Sequence, residues 1–170
     1  MKRIIASILA FAAISCNGQE KQFSEESLSK KLLSIDGKSK IPFEEILENH
    51  EGKIVVIEIW ASWCSDCVKA MPLMNELQKN NSDVDFVFIS MDKTTEKWLE
   101  GIKKHELNGD HYLATDGMKG EFGSSMNVDW IPRYIVVNKT GKVVLFRAVE
   151  TDFEKINIVI NEVRTKVNKD

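Results

Sequence analysis

The chain has 170 residues and a formal net charge of −3, with 43% hydrophobic and 29% charged residues. This composition excludes a collagen-like chain, low-complexity disorder and a multi-span membrane protein, and the length suits one domain that needs neither a metal nor a disulfide scaffold to fold. Acidic residues outnumber basic ones by 26 to 23 with no Arg cluster or basic stripe, so nucleic acid is not an expected partner.

Lys2 and Arg3 open the chain, and residues 4–14 are apolar apart from Ser7. The run is far shorter than the about 20 residues of a membrane-spanning helix and has the proportions of a secretory signal peptide. Its end, Ala13-Ile14-Ser15-Cys16, resembles the lipobox of bacterial lipoproteins. That resemblance implies cleavage before Cys16, lipid on its sulfur and firm attachment to a membrane. The competing reading is a plain signal peptide with Cys16 as a spare thiol. Export means an oxidising compartment. Residues 16–27 are polar, with Phe23 the lone aromatic, and read as a flexible tether. The expected organisation is a signal peptide at 1–15, a tether at 16–27 and one domain at 28–170.

Residues 32–43, LLSIDGKSKIPF, carry a hairpin pattern with Asp36-Gly37 at the turn. A short helix, FEEILENH, follows Pro42 and stops before Gly52. Residues 54–60, IVVIEIW, read as a strand covered on both faces, and 61–67 as a turn. A helix is expected over 68–80, with Val68, Met71, Met74 and Leu77 in one stripe and Pro72 inside it. Residues 84–90 form a second buried strand, and 94–107 a helix with Trp98, Leu99 and Ile102 on one side. A short strand at 111–115 and a short helix at 119–126 follow, then an antiparallel hairpin over 134–150. The last helix starts at a Thr151-Asp152 cap and repeats Phe153, Ile156, Ile160, Val163 and Val167 at helical spacing. The alternation predicts a central mixed sheet with helices on both faces.

Cys64-Ser65-Asp66-Cys67 lies between a buried strand and a helix. A cysteine at a helix N-terminus meets free N–H groups and the positive end of the helix dipole, which favour thiolate over thiol. The two-residue gap lets the second thiol reach back, so Cys64 is the expected nucleophile and Cys67 the resolving thiol. Glu58 is the one ionisable residue in its apolar strand. If buried, its pKa is raised and it can take the proton of Cys67. The alternative is an edge-strand Glu facing water. Trp130-Ile131-Pro132-Arg133 precedes the hairpin, and Pro132 at a strand start is tolerated there in either isomer.

Together these features resemble the thioredoxin superfamily. Trp60-Ala61-Ser62-Trp63-Cys64-Ser65-Asp66-Cys67 is similar to its WAxWCxxC stretch, Glu58 matches its buried acid, Pro72 its helix proline and Ile131-Pro132 its cis-proline dipeptide. The N-terminal hairpin, the tether and an α/β insertion between Asp92 and Asn127 resemble the TlpA/ResA-type branch of exported, membrane-anchored thiol-disulfide oxidoreductases. The implied fold is α/β, a thioredoxin-like three-layer α/β/α arrangement around a mixed sheet. The implied activity is reduction of disulfides in other exported proteins, on the periplasmic side or cell exterior, by a monomer. Cytochrome c apoproteins are one candidate client class. The resemblance also implies catalysis by Cys64, Cys67 and Glu58, and a cis Pro132 against the dithiol. Trp63 and Ile131 are expected to face substrate, the latter through its backbone.

No organic cofactor is expected, because the dithiol holds the electrons, and a membrane electron donor must then reduce it again. Asp66 departs from the branch. Its charge near Cys64 disfavours the thiolate and predicts a reducing poise, nearer about −270 mV than about −120 mV. Arg133 either steers acidic substrates or covers the rim. Trp98, Phe122 and Trp130 are expected in the core. The alternatives are copper delivery on the same fold and a non-catalytic tethered binding module. Against the first, two cysteines fall short of a closed zinc site, and His50, His105 and His111 stand at no ligand spacing from them.

Overall fold

The computed structural model describes residues 22–166. The expected signal peptide, the lipidation expected at Cys16 and the end of the final stripe at Val167 lie outside the described residues. The elements run α1 (Glu25–Ser29), β1 (Lys31–Ser34), β2 (Lys40–Pro42), α2 (Phe43–Glu48), β3 (Ile54–Trp60), α3 (Ser65–Asn80), β4 (Val84–Ser90), α4 (Thr95–His105), β5 (Asp110–Leu113), α5 (Glu121–Ser125), β6 (Arg133–Val137), β7 (Val143–Ala148) and α6 (Phe153–Lys166).

The strands form one mixed sheet in the order β2-β1-β5-β4-β3-β6-β7. The β3–β4 and β4–β5 pairs are parallel and the others antiparallel. Parallel neighbours require crossovers, and right-handed ones stepping the same way across the sheet put α3 and α4 on one face. There α6 packs against α3. On the other face α1, α2 and α5 pack together, with the Phe43 and Phe122 rings 5.2 Å apart. The result is the expected three-layer thioredoxin-like fold.

Covering both faces is what the run 54–60, apolar but for Glu58, requires, and all seven residues of β3 are buried. Its C-terminal end delivers the chain to Cys64. Asp152 opens α6 as expected: its carbonyl accepts the Ile156 N–H at 2.9 Å, while its carboxylate turns back to the Val149 N–H. Ile156, Ile160 and Val163 are buried against the sheet. The turn into β5 needs Gly109, whose φ is 146° and whose missing Cβ would stand 2.5 Å from the Phe86 carbonyl oxygen.

Three local expectations change. The folded body begins before residue 28: Ser24 caps α1 by accepting the Ser27 N–H, the Ser27 hydroxyl donates to the Ser125 carbonyl, and the Phe23 ring lies 4.9 Å from Phe43. One aromatic ring and a cap anchor a segment whose overall polarity suggested a spacer. The turn at 61–67 ends early, because α3 begins at Ser65. Leu99 is exposed although Trp98 beside it is fully buried, so the α4 stripe is narrower than its apolar residues suggest.

Candidate active site

Cys64 is the N-cap of α3. Its backbone is extended, and its sulfur accepts the Cys67 N–H at 3.1 Å. Cys64 and Cys67 are joined as a disulfide, with Cα atoms 5.3 Å apart. Cys67 is wholly covered, and Cys64 is only 6% exposed. Its sulfur is therefore more recessed than an open nucleophile, because Ile131 lies over it with its carbonyl oxygen 3.5 Å away. In the reduced state that carbonyl favours the protonated thiol, while the Cys67 N–H and the helix dipole favour the thiolate. The Ile131–Pro132 peptide bond is cis, as the resemblance implied.

The loop carrying Cys64 is held from behind by Asp92, which is completely buried. Its carboxylate accepts the Ser62 N–H at 2.9 Å, the Ser62 hydroxyl at 2.7 Å and the Ser90 hydroxyl at 2.7 Å. Three donors supply the hydrogen bonds that a buried carboxyl group needs.

Glu58 is 2% exposed, which removes the edge-strand alternative. Its neighbour across β3–β6 is Tyr134, whose hydroxyl donates to Oε1 at 3.4 Å, while Oε2 has no partner within the protein. Burial raises its pKa to about 8, and the Tyr134 hydrogen bond opposes that rise only in part. The Tyr134 ring packs on Phe153 of α6, which places Glu58 in the layer between the sheet and α3/α6, the layer that also buries Cys67.

A cavity of about 410 Å³ opens beside Cys64, lined by Trp63, Ser65, Asp66, Met118, Asp129, Trp130 and Ile131. Trp63 faces water as expected, at 60% exposure. Trp98 and Phe122 belong to the core, but Trp130 does not: it is 53% exposed on the cavity wall. Its place directly before Ile131-Pro132 was the available signal, and aromatic character alone pointed the wrong way. Asp66 pairs with Lys69 at 3.1 Å, which offsets part of the charge beside Cys64. Arg133 is turned to Asp129 at 2.9 Å, so it closes the rim instead of standing free for acidic substrates. Asp129 also pairs with Arg147, and the two guanidinium groups hold its carboxyl down at about 2.

Tyr134, Asp92 and Met118 had no signal in the sequence, because each acts through a contact made only by the fold. Another cavity, about 430 Å³, lies at the opposite end of the sheet around His50, Asp85 and Asp110, remote from the cysteines. His50 is fixed there between the two carboxylates, at 2.9 and 3.3 Å. His111 is stacked on Phe88. Among the described residues no group of three His, Cys, Asp or Glu side chains could hold a metal ion, and no helix is long and apolar enough to cross a membrane.

The sequence profile of the thioredoxin-like family matches residues 52–143, more than half of the chain. The chain belongs to that family. The thiol-disulfide oxidoreductase ResA of Bacillus thuringiensis is 28% identical over 100 residues, covering 58% of this chain and 56% of the relative. The chloroplastic thioredoxin-like protein HCF164 of Arabidopsis thaliana is 33% identical over 141 residues, covering 81% of this chain and 50% of its own length. The chain thus spans about half the length of these curated relatives. Among solved structures, a thiol-disulfide oxidoreductase from Bacteroides fragilis superposes with a TM-score of 0.63 at 23% identity, covering 76% of this chain and 95% of that one. That likeness shows the fold.

Proposed function

We propose that the chain is an exported, membrane-tethered thiol-disulfide oxidoreductase that reduces disulfides of other exported proteins through Cys64 and Cys67. One observation carries this reading: a redox pair at the start of α3, with the Cys64 sulfur facing the Cys67 N–H at 3.1 Å and opening on a cavity bounded by Trp63 and Ile131. Family membership and the names of the relatives support it.

The reaction begins with the dithiol. The Cys64 thiolate attacks one sulfur of the substrate disulfide. The substrate S–S bond breaks, its other sulfur leaves as a thiolate and takes a proton, and a Cys64–substrate disulfide forms. Cys67 then gives its proton to Glu58, directly or through a water, and attacks the Cys64 sulfur. That step releases the second substrate thiol and closes the Cys64–Cys67 disulfide, the state seen in the structure. Two electrons have passed to the substrate. With a pKa of about 8, Glu58 is ionised in roughly a tenth of molecules at pH 7, so resolution accelerates as pH rises toward 8.

No organic cofactor enters the cycle. A membrane electron donor returns two electrons to the pair, and lipid on Cys16 keeps the protein beside it. The chain acts as a monomer. Asp66, only partly offset by Lys69, keeps the poise reducing. In cells, Cys67→Ser accumulates mixed disulfides with client proteins on non-reducing gels, identifiable by mass spectrometry, and Cys64→Ser accumulates none. Equal trapping by both variants, or none by Cys67→Ser, refutes the assignment.

A further inference from the structure

The exchange reaction uses Cys64, Cys67 and Glu58, and it leaves the exposure of Trp130 unexplained. Trp130 and Trp63 are 53% and 60% exposed, and both line the cavity on which Cys64 opens. Large apolar groups kept together at the surface mark a place that something else covers. Met118, from the α/β insertion, adds a third wall.

The charges at this rim are already engaged. Asp66 holds Lys69, and Asp129 holds both Arg133 and Arg147. A charged side chain entering the cavity would lose hydration and find both carboxylates already paired, whereas a flat apolar one would meet two indole faces and a thioether. The wall is also fixed in place. Asp129 directly precedes Trp130, and Arg147 reaches it from a point in β7 where the β6–β7 register shifts and the backbone turns to φ 64°. A non-glycine residue keeps that conformation when its surroundings impose it.

We infer that Trp130, with Trp63 and Met118, forms a pocket that selects substrates carrying a bulky apolar residue, aromatic above all, next to the cysteine under attack. Its volume of about 410 Å³ accommodates one such side chain with the backbone that carries it. The inference rests on the disulfide-reductase reading and adds the substrate class.

The test uses the pre-reduced protein and four disulfide-closed peptides that differ only beside one cysteine: Phe, Gly, Glu or Lys. Single-turnover rates come from acid quench and alkylation of the released thiols. The Phe peptide is expected to react about tenfold or more faster than the Gly peptide, with Glu and Lys no faster than Gly. Trp130→Ala should bring the Phe/Gly ratio below about threefold, and Trp130→Phe should retain most of it. Each ratio is taken within one protein, so a partly misfolded sample does not distort it. Equal rates for the four peptides, or a ratio unchanged in Trp130→Ala, overturn the pocket and leave the reductase reading standing. Failure to reduce any of the four overturns that reading, and the pocket falls with it.

Discussion

Replacing Glu58 by Gln should make the oxidised protein more stable at alkaline pH, and the gain can be worked from the structure. The carboxyl is buried, with Tyr134 as its one donor, and its pKa is raised from 4.5 to about 8. A raised carboxyl pKa means that between pH 4.5 and 8 the folded chain holds a proton that the unfolded chain has released. Stability therefore falls as pH rises through that window and levels off above it. At about 1.4 kcal/mol per pH unit, the full window corresponds to roughly 5 kcal/mol, an upper bound because a strained interior relaxes. Gln keeps the shape and still accepts from Tyr134, whose own hydroxyl is pushed far up by burial first and by Glu58 second and so remains a donor. Urea unfolding of both oxidised proteins, at half-unit steps from pH 5 to 9, isolates the contribution of the Glu58 carboxyl. The disulfide removes cysteine titration, and the histidines cancel in the difference. Glu58→Gln should gain at least about 2 kcal/mol on the wild type across this range. Parallel stability curves would refute both the burial argument and the role of Glu58 as a proton acceptor tuned near pH 8.

Other expectations concern the loop behind the cysteines and the chain outside the described residues. Asp92→Ala strands the Ser62 N–H and two hydroxyls and should cost roughly 3 kcal/mol in urea unfolding. Gly101→Ala would favour α4 by about 1 kcal/mol on helix propensity, yet its Cβ would stand 2.8 Å from Ser62 Cβ and 3.0 Å from the Trp60 ring. A net loss of about 1–3 kcal/mol is expected, read from the thermal midpoint, and a stabilised variant would contradict this packing. Labelled palmitate should enter the wild type in cells and not Cys16→Ser, and absence of label from both would remove the lipid anchor.

The sequence revealed most where the chemistry is local along the chain. Strand β3 is apolar but for Glu58 and β4 largely so, the α6 stripe repeats at helical spacing, the two cysteines stand at the start of α3 and Pro132 directly precedes β6. What stayed hidden depends on partners that only folding supplies. Tyr134 meets Glu58 across 76 positions, and nothing in either neighbourhood announces the pairing. Trp98 and Trp130 are the same residue type in similarly mixed surroundings, and the sheet covers one and leaves the other in water. The domain starts earlier than composition suggests, because composition weighs every residue alike, whereas the Phe23 ring on Phe43, the Ser24 cap and the Ser27–Ser125 hydrogen bond dock residues 23–29 against α2 and α5.

The recess around Cys64 sets a steric condition on the proposed clients. With Cys64 only 6% exposed, in a cavity whose walls include Trp63 and Trp130, its sulfur would not reach a cystine clamped inside a finished protein. It can approach one carried on a loose loop, a chain end or a stretch not yet packed. Under the proposed function, selection would then act on maturity as well as on redox state: chains still under assembly would be corrected, and completed ones would keep their crosslinks.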